Sequence, residues 1–344
     1  MSYHFRNLVF EGGGVKGVAY VGALQALEEK GVLKNISRVG GTSAGAINAV
    51  LLGLNYTLDE VEQILKSLDF KKFMDDSWGV LRDMDRLINR FGWYKGDYFR
   101  KWIGDIIEAK VGNSEATFKD INKQKEEKGF LDMFFVGTNL STRFAEVFSF
   151  KHTPRMCVAD AIRISMSIPL FFAAKRSPRD DVYVDGGLLD NYPIKLFDRK
   201  KYIDKHSSEP PYYKGHNKKL KKAGKDISQY VFNQETLGFR LDTAKEIAVF
   251  RDQAEPPHHQ VDDFFDYLYA LMDTVMNAQD GQHIHSDDWQ RTIYIDTLGV
   301  RTTDFDLSSK KKKDLVQSGR DGTEIYFSWY DNPESSPANR PDDT

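Results

Sequence analysis

The sequence predicts an α/β protein with a mainly parallel central sheet, and three observations carry that expectation. A short apolar run, Leu8-Val9-Phe10, breaks at Gly12-Gly13-Gly14. Residues 15–30 then place Val18, Val21, Ala23, Leu24 and Leu27 at helical spacing, and Gly31 stops the helix. The same pattern repeats at once, with a strand over 36–39, a glycine-rich turn over 40–45 and a helix over 46–54. Strand, helix, strand, helix in close succession requires right-handed crossovers and strands that run parallel.

The rest of the chain extends this opening. Helices are expected over 58–68, 80–91 and 97–111, each with apolar residues three or four apart. Strands return at 132–139, where Met133-Phe134-Phe135-Val136 is continuously apolar, and at 145–150. A helix over 158–167 ends before Pro169, and a short strand over 182–184 runs into Asp185-Gly186-Gly187. Further on, strands are read at 236–241 and 292–295 and helices at 263–278 and 310–330. The lysine-rich, Pro210-Pro211-punctuated stretch 199–225 reads as an exposed loop, and residues 331–344, rich in Pro, Asp, Asn and Ser, read as a disordered tail. The organisation is one domain over 1–330, with core motifs in 7–193 and a C-terminal extension over 242–330.

Composition excludes several classes. With 48 basic and 51 acidic side chains the chain has no basic excess to neutralise phosphates, which argues against nucleic acid as a partner. The lone Cys157 can form no internal disulfide, fits a reducing compartment, and reads as a buried thiol. No signal peptide or membrane-spanning helix is read: the longest nearly apolar stretch, 44–54, falls well short of the ~20 residues a span needs. A cytoplasmic or peripheral-membrane protein is expected; the oligomeric state is left open.

Two glycine motifs carry chemistry. Gly41-Thr42-Ser43-Ala44-Gly45 follows a strand and opens a helix, a context in which a serine stands on a strained turn with its oxygen exposed. Both flanking glycines are needed, because a β-carbon at Gly41 or Gly45 would meet the neighbouring strand and helix. The bland alternative is a serine in a glycine-rich connection. Gly12-Gly13-Gly14-Val15-Lys16-Gly17 also lies between a strand and a helix. A dinucleotide site needs an acidic residue at the end of the second strand, and 32–40 has none; a phosphate loop needs Ser or Thr after Lys16, where Gly17 stands. The third reading is an oxyanion hole in which amides of Gly12, Gly13 and Gly14 face the serine. A plain tight turn remains the alternative.

A serine nucleophile needs a base. His258, His259, His283 and His285 lie in polar stretches and read as surface residues, whereas Asp185 ends a buried strand before two glycines and could serve. Lys16 either orients the glycine loop or meets a headgroup, with a solvated lysine as the plain alternative, and Asp190 and Asn191 read as pins for the loop after Asp185.

Taken in order, Gly12-Gly13-Gly14-Val15-Lys16-Gly17, Gly41-Thr42-Ser43-Ala44-Gly45 and Asp185-Gly186-Gly187 resemble the patatin-like phospholipase family. Residues 161–172 and Asp190-Asn191-Tyr192-Pro193-Ile194 resemble stretches on either side of that family's aspartate, although Tyr192 stands where leucine is common. The resemblance covers 7–193 and, more weakly, continues to 242. It implies a three-layer α/β/α sandwich and a lipid acyl hydrolase of the phospholipase A or lysophospholipase type. It further implies a Ser43–Asp185 dyad without histidine, no metal or cofactor, and a membrane lipid or lysolipid as substrate. Gly17, Gly41, Gly45, Gly186, Gly187 and Lys16 support the site. An acyltransferase on the same fold and a non-catalytic lipid-binding or regulatory protein are the alternatives. A carboxylate of ordinary pKa, about 3.9, is a weak base beside imidazole at about 6.5, a handicap of roughly 3–4 kcal/mol that something must offset.

Two stretches remain. Phe70 to Trp102 is rich in aromatics and reads either as a cover for an acyl chain or as packed core. The lysines of 200–225 read either as a solvated run or as a docking surface for anionic membrane.

Overall fold

A computed structural model describes residues 3–75, 87–222, 229–247 and 287–341, with isolated positions between 255 and 275. In chain order the elements are β1 (Asn7–Phe10), a 3-10 turn (Gly14–Ala19), α1 (Tyr20–Glu29), β2 (Arg38–Gly41), α2 (Ala44–Gly53), α3 (Leu58–Ser67) and β3 (Gly92–Tyr94). Then follow α4 (Asp97–Val111), α5 (Phe118–Lys123), α6 (Lys125–Lys128), β4 (Asp132–Asn139), β5 (Phe144–Ser149), α7 (Val158–Ser165), β6 (Leu170–Phe172), β7 (Lys175–Arg176) and β8 (Val182–Asp185). The chain ends through α8 (Gly187–Asp190), β9 (Ser207–Ser208), α9 (Pro211–Lys222), β10 (Phe232–Asn233), β11 (Thr236–Asp242), β12 (Thr292–Asp296) and α10 (Ser309–Tyr330).

The main sheet has eight strands in the order β12-β11-β1-β2-β4-β8-β7, with β5 also on β4. β12, β11, β1, β2 and β4 run parallel, while β5 and β8 run antiparallel to β4. Side chains alternate between the two faces, as strands require. Leu8, Phe10, Val39 and Phe135 join the larger core together with residues of α1, α2 and α10. Val9 and Phe134 join a smaller one with Tyr192, Ile194, Phe197 and Tyr202, so the segment after β8 forms the third layer. The extension is part of the same body: β11 and β12 complete the sheet, and a buried Arg291 grips Asp198 in a bidentate pair at 2.7 and 2.8 Å while also holding Asp288.

One pairing pattern positions the site. β5 occupies one edge of β4 along 134–139, so β2 (against 132–135) and β8 (against 137–139) must share the other edge. The two strands run in opposite directions and abut end to end. Gly41 lies opposite Phe135 and Asp185 opposite Gly137, two positions apart on a common ruler.

Several expectations change. The helix expected from residue 15 begins as a 3-10 turn, because the Lys16 amide reaches back to the Gly13 carbonyl at 3.1 Å. The stretch 199–225 is not a loop: it contains α9, held by buried Tyr213, whose hydroxyl donates to Asp198 at 2.7 Å, and by Asn217, which bonds the Tyr230 backbone. The tail expected to be disordered packs as far as residue 341. Asn339 is buried and donates to Tyr326, the Ala338 amide donates to Gln290, and Arg340 caps the Tyr330 carbonyl. Cys157 is only half-buried. The helices expected over 80–91 and 263–278 fall largely outside the described residues, as do His259, His283 and His285; His258 is exposed.

Candidate active site

Ser43 occupies the turn between β2 and α2 with φ 53° and ψ −123°, a conformation a non-glycine residue adopts only when its surroundings enforce it. The enforcement is visible. A β-carbon at Gly41 would overlap the Gly45 backbone and the Phe10 carbonyl, and one at Gly45 the Phe10 and Glu11 carbonyls, so only glycine lets the turn close against β1. The Thr42 hydroxyl donates to the Asp190 carbonyl at 2.9 Å, and the Ser43 amide donates to Ser165 Oγ at 2.9 Å. Ser43 is thus held from both flanks, and its hydroxyl faces the Met166 sulfur at 3.4 Å.

Asp185 is wholly buried at the end of β8. Its Oδ1 accepts the Gly187 amide at 2.7 Å, while Oδ2 has no well-aligned donor. Burial pushes the carboxyl up from 3.8 to about 7; the Gly187 amide and the adjacent Ser43 side chain pull it back only partly. The Ser43 side chain thus lies within hydrogen-bonding reach of the carboxyl, with the Met166 sulfur as its other neighbour.

The glycine loop reaches the same point from β1. A β-carbon on Gly12 would press on Ser43 Cβ at 3.1 Å, so this loop lies directly against the serine. The Gly12 amide, however, donates to the Asn191 carbonyl at 3.0 Å and is committed to the loop, which removes it from the expected set of oxyanion donors. The amides of Gly13 and Gly14 carry no such bond among the described residues. Gly14 takes φ 55°, with the Thr302 carbonyl where a side chain would stand, and that carbonyl accepts the Val15 amide at 3.2 Å. Lys16 points away from the serine, toward the Leu241 carbonyl at 3.4 Å. Gly17 packs on Ala44 and accepts a bond from Asn48, drawing the two turns together. Gly186 passes too close to the Val136 carbonyl for any side chain.

Three supporting residues escaped sequence reasoning. Buried Glu11 accepts the Leu241 amide at 2.7 Å and a bond from Asn191, tying the glycine loop to β11 and to the segment after Asp185. Buried Arg163 donates to the carbonyls of Lys95, Gly96 and Ala173 and to Ser167, locking the turn that carries Ser165 and Met166; burial lowers its pKa to about 10. Met166 completes the wall. An acid one residue before the glycine run was a visible signal for Glu11; Arg163 and Met166 lie within the family-like stretch 161–172, but nothing there singled out either side chain.

A strained serine at a strand-to-helix turn, beside a buried carboxyl and a glycine loop on an α/β sheet, is the set of parts that serine-hydrolase chemistry requires. The model of the patatin-like phospholipase family matches residues 8–198, and the chain belongs to that family. It is 31% identical over 330 residues to the uncharacterized protein YqhO of Bacillus subtilis, spanning 93% of this chain and 97% of that one. It is 27% identical over 193 residues to the probable lipid hydrolase 463L of invertebrate iridescent virus 6, spanning 56% of this chain and 63% of that one. The fold matches the crystal structure of VipD from Legionella pneumophila with a TM-score of 0.62 at 18% identity, over 95% of this chain and 67% of that one. The α/β/α sandwich with its mainly parallel sheet is therefore the patatin-like fold. No helix among the described residues is long and apolar enough to cross a membrane.

Proposed function

We propose that this chain hydrolyses fatty-acyl esters of phospholipids or lysophospholipids through an acyl-Ser43 intermediate, with Asp185 as the base. The observation that carries the reading is the buried Asp185 carboxyl, raised to about 7 beside a strained serine. The handicap of a carboxylate base disappears when burial gives it the basicity of an imidazole. The Ser43 hydroxyl turns its proton from the Met166 sulfur to the Asp185 carboxylate. The oxygen attacks the ester carbonyl, its proton passes to Asp185, and the amides of Gly13 and Gly14 receive the oxyanion. Asp185 returns the proton to the departing alcohol. Water then attacks the acyl-serine, again giving its proton to Asp185; as the acyl–oxygen bond breaks, Asp185 passes that proton to Ser43 Oγ and a free fatty acid leaves.

The test is lipid mass spectrometry of a membrane extract treated with wild type, Ser43→Ala and Asp185→Asn proteins, alongside labelling by a fluorophosphonate probe. Free fatty acid and lysolipid are expected with wild type alone, and the label on Ser43. Equal fatty-acid release by folded Ser43→Ala protein overturns the reading. So does acyl transfer to a lipid acceptor in place of hydrolysis.

A further inference from the structure

The edge of the sheet that carries Ser43 continues outward. β4 runs on from 136 to 139 beyond the level at which β2 ends, and with β5 it makes a hairpin that stands past the serine turn. Its tip lies three register positions beyond Asp185, about 10 Å. The tip is stiff. Asn139 Oδ1 accepts the amides of Ser141 and Thr142 at 3.0 and 3.1 Å, and the Leu140 amide is bonded to the Val182 carbonyl. On this rigid turn two apolar side chains face solvent, Leu140 (42% exposed) and Phe144 (70%). The rim continues through β8 and β7 to Phe91, 44% exposed and covered on one side by Arg176. Around these apolar groups stand Arg90, Arg143, Lys175, Arg176 and Arg179 against Glu146, Asp180 and Asp181, and Glu146 is already engaged by Asn139 and Tyr183, which leaves an excess of positive charge.

The lysine-rich segment lies at the other end of the sheet. Asp204 meets Arg6 and Arg38, which precede or open β1 and β2. Glu235, just before β11, binds the amides of Asp204, Lys205 and His206. α9 is tethered through Tyr213 to Asp198, which is paired with Arg291 just before β12, and through Asn217 to the backbone of Tyr230, which precedes β10 and β11. All of these contacts are with the starts of the parallel strands, whereas Ser43 and the glycine loop follow their ends. A bilayer gripped by α9 would face away from the serine.

We propose that the β4–β5 tip and its arginine-flanked rim are the surface on which this protein meets a lipid bilayer containing anionic lipid, and that α9 is not. Apolar side chains on a rigid projection enter the headgroup region, arginines engage lipid phosphates, and the serine turn is brought to the membrane plane. The proposal rests on the reading of the chain as a lipid hydrolase, so its test separates binding from turnover.

Partition onto vesicles of phosphatidylcholine with one part in three phosphatidylglycerol is measured by flotation, in a Ser43→Ala background. The compared proteins are the parent, Leu140→Ser/Phe144→Asp, Phe144→Trp, and a variant with Lys214, Lys218, Lys221 and Lys222 changed to Gln. Partition is expected to fall at least about tenfold in the tip variant. It is expected to be kept by Phe144→Trp, whose added emission shifts to the blue on vesicles, and to be kept within about twofold by the lysine variant. With Ser43 restored, the tip variant loses vesicle hydrolysis but keeps hydrolysis of a monomeric, water-soluble ester. Parent-like partition of the tip variant, loss confined to the lysine variant, or a parent that binds no vesicles overturns the proposal. Failure of the hydrolase reading itself appears separately, as no turnover of either substrate by wild type.

Discussion

Replacing Asp185 by Asn tests the electrostatics of the site without disturbing its shape. The amide keeps an acceptor for the Gly187 N–H and removes a wholly buried charge with one firm backbone hydrogen bond. Because burial raises the folded-state pKa from 3.8 to about 7, the folded chain binds a proton over this interval that the unfolded chain has released. Stability contributed by this group therefore falls as pH rises from about 4 to 7, and the loss is complete above 7. At about 1.4 kcal/mol per factor of ten, the full effect is roughly 4 kcal/mol. Asp185→Asn protein is expected to be more stable than wild type by about 2–4 kcal/mol at pH 8, with Tm raised by roughly 3–6 °C. The gain should shrink steadily on going to pH 5. Urea unfolding and calorimetry at pH 8, 6.5 and 5 measure this directly. A variant less stable than wild type at pH 8, or a gain that is the same at all three pH values, would refute the claim that the carboxyl carries a buried charge.

Two further outcomes are expected. kcat/KM on an ester without ionising groups should rise about tenfold per pH unit below 7 and level above it, since only ionised Asp185 can accept the Ser43 proton; maximal activity at pH 5 would exclude Asp185 as the base. Asp198→Ala removes the bidentate partner of fully buried Arg291 together with the acceptor of Tyr213, and should cost about 3–5 kcal/mol in urea unfolding. Changing Asp198 and Arg291 together to apolar residues should recover part of that loss.

The strands and turns nearest the serine were legible because their physics is local. Leu8-Val9-Phe10 followed by three glycines, and Gly41-Thr42-Ser43-Ala44-Gly45 before an apolar helix, each specify a strand, a tight turn and a helix within a few residues. Direction was not legible. Four residues, Val182 to Asp185, read as a strand either way, and only their pairing with Asn139, Thr138 and Gly137 shows that they run against β4. Nor does a glycine run say which of its amides is free: Gly12 is occupied by Asn191, far along the chain. α9 hid because its buried face has just two strong anchors, Tyr213 and Asn217, among lysines. The tail hid because its hold is polar, through Ala338, Asn339 and Arg340, and leaves no apolar periodicity. Arg291 and Asp198 find each other only after the sheet has assembled.

The meeting of β2 and β8 end to end along β4 makes the hydroxyl and the carboxyl neighbours only through a third strand that neither belongs to. On the reading of the chain as a hydrolase, the two groups that would exchange a proton are therefore placed by strand register alone. A change that slips β4 by one position against β2 or β8 would part them while leaving both side chains intact, and is expected to abolish activity.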